Sequence, residues 1–276
     1  MKGFGLARGD LFVLAGYYRW AVRYLIVSDL HGNWPALEAV IKEARGYDQV
    51  IFLGDAVGYY PDGNRVLDWL RSVKATGVMG NHDIWLLEIN AMQIDGPVLE
   101  ILSWQAERLS PENRAYLSSL PWTAEVEGAL LVHGSPLDPL AYLEEIEQAR
   151  DVFDKVKHRW IFHGHTHLAG SYLTLEAPSG RGQATPEGGA TGRWVRYNRY
   201  ASGGELIVAP KARAIVNPGS TGQPRDGVVG AAYAIWDADE DMVEFHRAKY
   251  NLEHVLARLH HERFPMWLYE RLVLGK

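Results

Sequence analysis

Four apolar residues, Tyr24-Leu25-Ile26-Val27, run directly into Ser28-Asp29-Leu30-His31-Gly32-Asn33, and this junction constrains the fold more than any other part of the chain. A short apolar run closed by polar and glycine residues reads as a buried strand. Residues two apart on a strand share a face, so Asp29 and His31 are predicted to point the same way. A carboxylate and an imidazole delivered together at the carboxyl end of a buried strand begin a metal site. The same junction recurs. Val50-Ile51-Phe52-Leu53 ends in Gly54-Asp55, Gly77-Val78-Met79 in Gly80-Asn81-His82-Asp83, Ala129 to Val132 in His133-Gly134-Ser135, and Trp160-Ile161-Phe162 in His163-Gly164-His165-Thr166-His167.

Between these junctions the periodicity changes. Trp34, Leu37, Val40, Ile41 and Ala44 recur at helical spacing, with Asn33 at the entrance and Pro35 where a missing N–H costs little. A second helix is predicted through Val66, Leu67, Trp69, Leu70 and Val73. Strands alternating with helices imply a parallel or mixed sheet with helices packed on it, and ligands gather beyond the carboxyl ends of such strands. Ile84 to Leu120 reads as helical, with Val98, Ile101, Leu102 and Gln105 on one face, and forms a lid or packing layer. A hairpin is expected around Gly128, and a surface helix from Tyr142 to Lys157. Residues 175–204, rich in Gly, Ser, Pro and Arg, read as an inserted loop or extended hairpin. Strands resume at Glu205–Val208, Arg213–Val216, Ala231–Trp236 and Met242–His246, which suggests an antiparallel second sheet. A C-terminal helical pair is predicted at about 250–274, from Leu252 to Leu274 with a break at Pro265.

With 276 residues, 47% of them hydrophobic, the chain can bury a sizeable core. We expect one domain over 23–276, preceded by an extension over 1–22. The run Leu11 to Gly16 in that extension is too short, and too closely preceded by Arg8 and Asp10, for a secretory signal. No stretch is long and apolar enough to span a bilayer. A formal charge of -6 without a long Lys/Arg run argues against a general nucleic-acid or membrane surface and for small partners. The absence of cysteine removes disulfides and thiolate ligands, so any metal must be held by His, Asp, Glu or Asn. The same absence fits a cytoplasmic protein.

Singly, each polar cluster has an ordinary explanation: a turn for Gly54-Asp55, a helix cap for Asp83, a satisfied core histidine for His133. Together, five strand ends present Asp29 and His31, Asp55, Asn81 and His82, His133, then His165 and His167, all oxygen or imidazole donors suited to borderline divalent metals. In order and spacing these clusters resemble the calcineurin-like metallophosphoesterase family, whose signature is Asp-x-His, Gly-Asp, Gly-Asn-His-Asp/Glu, His and Gly-His-x-His. Asn217-Pro218-Gly219-Ser220 is similar to a segment of the small bacterial and archaeal phosphodiesterase-type branch.

The resemblance implies an α/β (α+β) fold, a four-layer α-β-β-α sandwich of two mixed sheets flanked by helices, with a two-metal site along one sheet edge. It implies one metal held by Asp29, His31, Asp55 and His167 and another by Asp55, Asn81, His133 and His165, with Asp55 bridging. The ions would be two divalent cations among Mn, Fe, Co, Ni and Zn, which His, Asp and Asn do not distinguish. Asp55 and His82 are the catalytic candidates, His82 facing the leaving group as general acid or positive stabiliser with Asp83 or Asp62 as its carboxylate partner. Asn81 and Arg225 are the substrate-binding candidates, Arg225 standing in for a phosphate clamp. Tyr59 and Tyr60 either line a base or aryl pocket or pack in the core. The segment Ala56 to Tyr60 after Asp55 lacks the acid and arginine of the large Ser/Thr phosphatases, which argues against protein phosphatase activity.

The expected reaction is hydrolysis of phosphodiesters or nucleotide-type phosphate esters by a metal-bridging hydroxide. The same site also suits phosphomonoesters or dinucleoside polyphosphates, and the same fold serves as a non-catalytic interaction scaffold elsewhere. His82 beside a complete ligand set favours an enzyme. A zinc amidase or lactamase-like hydrolase would carry a His-x-His-x-Asp-His segment, and none is present. The oligomeric state, homo-oligomer included, is left open.

Overall fold

The computed structural model describes residues 22–90, 96–175 and 194–276. The expected extension as far as residue 21, positions 91–95 of the helical block, and 176–193 of the inserted loop lie outside the described residues.

Strand β1 (Arg23–Val27) shows why the chain layers as it does. Tyr24 and Ile26 project into one apolar cluster and Leu25 and Val27 into another, as the two-residue period of a strand requires. Because both faces are apolar, β1 is buried on both sides. One face meets helices α1 (Trp34–Glu43) and α2 (Gly63–Ser72), and the other meets a second sheet. Strand β2 (Gln49–Phe52) repeats the pattern, with Val50 and Phe52 toward the helices and Ile51 toward the second sheet.

The first sheet continues with β3 (Thr76–Gly77), parallel to β2, and is followed by α3 (Asn81–Leu87), α4 (Gly96–Arg108) and α5 (Pro111–Ser119). The expected hairpin forms from β4 (Thr123–Val126) and β5 (Ala129–Val132). After it come α6 (Ile146–Lys155), β6 (Trp160–Phe162), β7 (Gly170–Leu175) and β8 (Trp194–Arg199). Strands β7 and β8 pair antiparallel with Leu175 opposite Trp194, so the flanks of the inserted segment form a hairpin. The chain closes with β9 (Gly204–Ile207), β10 (Ala214–Asn217), β11 (Ala231–Asp237), β12 (Met242–Ala248), α7 (Leu252–Glu262) and α8 (Trp267–Leu274).

The strands form two six-stranded mixed sheets, ordered β3-β2-β1-β11-β12-β9 and β4-β5-β6-β10-β7-β8. This corrects the expectation that the late strands make a separate antiparallel sheet. Strand β11 pairs antiparallel with β1, and β12 and β9 extend the first sheet from there. Strand β10 inserts into the second sheet, parallel to β6 and antiparallel to β7. The reason is burial: all seven residues of β11 are buried, so it needs a neighbour on each side, and β1 has an edge to offer. The facing sheets share a core of Ile26, Ile51, Phe162, Val216 and Trp236, and α6 covers the outer face of the second sheet through Val152 and Phe153. The result is the α-β-β-α sandwich. Helices α7 and α8 add a smaller cluster in which Leu259, Leu268 and Leu272 pack with Tyr59, Tyr60 and Ile101. Among the described residues no helix is long and apolar enough to cross a membrane.

Candidate metal centre

Strands β1 and β2 stop at Val27 and Phe52, so Asp29, His31 and Asp55 belong to loops rather than to the pleat. Asp29, His31, Asp55, Tyr59, His165 and His167 all have positive φ, six of the ten non-glycine residues with φ of that sign among the described residues. Strand alternation therefore is not what aims Asp29 and His31; left-handed turns do, and residues with a Cβ occupy that region only where surrounding bonds impose it. Those bonds cross between loops. Asp29 N–H donates to Gly54 O at 3.0 Å, His31 N–H to Asp55 O at 2.9 Å, Gly32 N–H to Ala56 O at 2.8 Å, and Gly164 N–H to His133 O at 2.8 Å. At Gly80 a Cβ would lie 2.1 Å from Asp55 Oδ1, so only glycine lets the α3 entrance close on that carboxylate.

Every nominated ligand is brought to this one edge. His31 Nδ1 contacts Val57 O at 3.0 Å, His133 Nδ1 contacts Leu53 O at 2.7 Å, and His167 Nδ1 contacts Gln223 O at 2.5 Å. A carbonyl only accepts, so each Nδ1 carries the hydrogen and each Nε2 faces inward. There His167 Nε2 lies 3.2 Å from Asp29 Oδ1, and His133 Nε2 lies 3.4 Å from Asp55 Oδ2 and 3.0 Å from Asn81 Oδ1. His31 Nε2 and His167 Nε2 stand 3.1 Å apart. Two lone pairs aimed at each other repel, and a cation beside them removes the conflict. Donor atoms of Asp29, His31 and His167, of His31, Asp55 and His82, and of Asp55, His133 and His165 lie within 4.8 Å of one another in each set. Imidazoles fixed through Nδ1 to backbone carbonyls, with buried carboxylates between them, are the donor chemistry of a divalent metal site. The residues fit the ions.

The electrostatics agree. Burial alone would raise Asp29, but His167 holds its carboxyl below the usual carboxylate range. Burial is likewise overcome at Asp55, by His133 and His82, and that carboxyl too falls well below its ordinary value. His133 is raised to about 9 against burial, chiefly by Asp55, whereas burial drives His31 well down and takes His165 to about 4. A site with ionised carboxylates and mostly neutral imidazoles is ready to accept cations.

His82 sits beside this set at the start of α3. Its ring lies 4.8 Å from that of His31 and 4.7 Å from that of Tyr59, and its backbone N–H donates to Asp55 Oδ1 at 2.8 Å. Neither expected carboxylate touches its ring. Asp83 accepts from the N–H groups of Asp55, Ala56, Val57 and Gly80, at 2.8, 2.9, 3.3 and 3.1 Å, and Asp62 pairs with Arg258 at 2.8 Å. Asp83 thus binds the α3 entrance to the loop that carries Asp55. It sits at the third helical position, where it reaches back to the Gly80 N–H rather than capping from outside. His82 Nδ1 is buried without a partner against Gly58, where a Cβ would approach to 2.3 Å, so Nε2 is the nitrogen left for chemistry. Burial lowers His82 to about 4, and the imidazole is neutral at pH 7.

Arg225 lies at the rim. Its Nη2 donates to Tyr59 Oη at 3.2 Å and Gln223 Oε1 at 3.3 Å, and its N–H donates to His167 O at 3.3 Å. The two tyrosines differ: Tyr59 packs on His31 with ring centroids 4.5 Å apart, while Tyr60 is core, its hydroxyl donating to Leu268 O at 3.1 Å. Further residues support the site. Tyr142 stacks on His165 at 4.0 Å and 14° from the loop before α6, which begins at Ile146 rather than at Tyr142 as the sequence predicts. Gln105 accepts from Gly58 N–H at 2.8 Å and donates to Tyr60 O at 2.5 Å; a glutamine on an apolar helix face was its signal. Asn217 donates to Gly164 O at 2.7 Å and Ser220 to Asp29 O at 2.8 Å, so the Asn217–Ser220 turn ties two ligand loops together. His163 does not join the donors.

The family model of the calcineurin-like phosphoesterase superfamily domain matches residues 22–241. The chain belongs to that superfamily. It is a phosphoester hydrolase of a metal-dependent family. Among solved structures, a metallophosphoesterase from Sphaerobacter thermophilus is 33% identical, with a TM-score of 0.78 over 93% of this chain and 100% of that one. A hypothetical protein from Pyrococcus horikoshii shares the fold, with a TM-score of 0.70 at 19% identity over 92% of this chain and 99% of that one. An uncharacterized protein of Methanocaldococcus jannaschii is 28% identical over 91% of this chain and 97% of its own length.

Proposed function

We propose that this metallophosphoesterase hydrolyses phosphodiesters or nucleotide-type phosphate esters at a two-cation site, with the 23–276 region acting as one domain. The observation that carries the reading is the convergence of seven donors, with the bare Nε2 atoms of His31 and His167 only 3.1 Å apart. Asp29, His31 and His167 would hold one cation and Asn81, His133 and His165 the other, with Asp55 between the two sets. Bound there, divalent cations supply Lewis acidity that activates water and offsets charge on the phosphoryl oxygens.

The chain's own groups do the rest. His82, neutral and free of a carboxylate partner, acts as a hydrogen-bond donor or acid from Nε2 to the leaving oxygen rather than as a fixed positive charge. Arg225 meets a non-bridging phosphoryl oxygen with its planar fork. Tyr59 and Tyr142 wall the donors on two sides and limit water access.

The test is turnover of a chromogenic aryl phosphodiester and the matching monoester by chelator-stripped protein with Mn restored. Metal-dependent activity that falls by about 10²–10⁴ in His82→Ala and is lost in Asp55→Asn is expected. A monoester rate far above the diester rate would move the assignment to phosphomonoesters. Metal binding without turnover of either ester would refute it for both.

A further inference from the structure

The family match ends at residue 241, before α7 and α8, and these helices also reach the site. They bring Trp267 and Arg271, one turn apart on α8. The Trp267 ring meets that of Tyr59 edge-on, with centroids 6.2 Å apart. The Arg271 guanidinium lies 5.8 Å from the Tyr59 ring centroid and 5.7 Å from that of Trp267, which braces it. Tyr59 in turn packs on His31 and His82, at 4.5 and 4.7 Å. Arg271 therefore stands one aromatic ring away from the imidazoles of the metal centre.

Arg225 reaches the same ring from the Gln223 loop, its guanidinium 6.0 Å from the Tyr59 centroid. Two other arginines near this end of the fold carry carboxylate partners. Arg258 is paired with Asp62 and Glu262, and Arg247 with Asp226. The Arg225 guanidinium meets neutral oxygens, those of Tyr59 and Gln223, and its Nε is buried with no partner. Removing a cation from water without a counter-charge is unfavourable, and a bound anion relieves the cost. Arg225 borders the donors through its N–H bond to His167 O, whereas Arg271 lies against the Tyr59 and Trp267 rings.

We infer that Arg271, held against Tyr59 and Trp267 beside the metal centre, forms a second anion subsite next to Arg225, and that the substrate is a nucleotide-type ester carrying a further phosphate besides the scissile one. This rests on the phosphoesterase reading of the site above. Arg271 is the specificity determinant, since it touches the outlying phosphate alone, and its action is on KM rather than on the bond-breaking step.

The test uses two substrates with the same scissile ester and leaving group: thymidine 5′-(p-nitrophenyl phosphate), and the same compound with a 3′-phosphate. With the Mn-loaded full chain, kcat/KM for the doubly phosphorylated ester is expected to exceed the other by about tenfold or more, through KM. Arg271→Met keeps the aliphatic cover over Trp267 and should bring the ratio close to one, while Arg271→Lys restores part of it. Lys157→Met, a change of equal charge on the far surface, should leave the ratio as it is. Calorimetric binding of thymidine 3′,5′-bisphosphate and of thymidine 5′-phosphate, with and without metal, gives a readout independent of turnover. Loss of the bisphosphate advantage in Arg271→Met supports the subsite even if neither ester is cleaved, an outcome that would overturn the catalytic reading instead. Turnover of both esters with equal KM, unaltered by Arg271→Met, overturns the subsite and leaves the phosphoesterase standing.

Discussion

Replacing Asp83 by asparagine tests what holds the site together apart from its ligands. Asp83 is fully buried, and its two oxygens accept four backbone N–H groups: Asp55 and Gly80 at Oδ2, Ala56 and Val57 at Oδ1. In either orientation of the new amide, its NH₂ turns toward one of these pairs, so two buried donors lose their acceptor. Each such loss costs about 1–3 kcal/mol, which puts the destabilisation at about 2–6 kcal/mol. For a chain of this size that corresponds to a fall in Tm of roughly 5–15 °C. Burial and Asp55 push the Asp83 carboxyl up to about 7, so the measurement belongs at about pH 8, where it is ionised. The assay is urea unfolding and calorimetry on chelator-stripped protein, followed by the same with Mn. Asp55 itself is aimed by this network, and the variant should also gain less stability from added metal than the parent. An unfolding midpoint and a metal-induced shift both unchanged in Asp83→Asn would refute the claim that this carboxylate organises the loop.

Two further outcomes follow from the geometry. His133, raised to about 9 beside Asp55, carries a proton at neutral pH that a metal ion must displace, so binding should release about one proton near pH 7, and affinity should climb as pH rises toward 9; binding heats that are identical in buffers of different ionisation enthalpy would contradict this. Gly80→Ala drives a Cβ to 2.1 Å from Asp55 Oδ1 and 2.3 Å from Asp55 N, and should abolish the metal-induced rise in Tm while far-ultraviolet dichroism keeps its native shape; an undiminished metal-induced rise would count against it.

Much of this was legible because each donor follows an apolar run. Tyr24–Val27, Val50–Phe52 and Trp160–Phe162 could only be strands, and within each sheet the parallel pairings set their carboxyl ends on one edge. Helical spacing gave α1, α2, α7 and α8 to within a few residues. The pairing of the late strands was not legible, because periodicity within β11 says that both faces are buried but not which neighbour lies alongside. The aim of Asp29 and His31 was foreseen for a different reason from the one observed, since positive φ in a non-glycine residue leaves no mark in composition. Partners of His82 were out of reach for the same kind of reason: Asp83 is adjacent in sequence, yet helix geometry turns it toward the Asp55 loop and away from the imidazole. Tyr142, Trp267 and Arg271 come to the site from the second sheet's connections and from the C-terminal helices, through contacts between elements far apart in the chain.

The division of labour between donors and supports explains why the site is spread so widely. Five loops supply the donors, and none supplies more than two, so no local sequence can fix their mutual distances. Those distances are fixed instead by bonds from one loop to the next: Asp83 joins the α3 entrance to the Asp55 loop, Gln105 on α4 fastens Gly58 and Tyr60, and the Asn217–Ser220 turn joins Asp29 to Gly164. Left-handed residues persist at the donors because these supports over-determine the backbone there. A substitution in a support should therefore act like a partial loss of several ligands at once, lowering metal affinity and stability together, whereas removal of a ligand such as His165 should lower affinity with little effect on the metal-free fold. Support variants and ligand variants would then separate on a plot of metal-free stability against metal affinity, and a single common line through both groups would mean that the loops are held by the cations rather than by the protein.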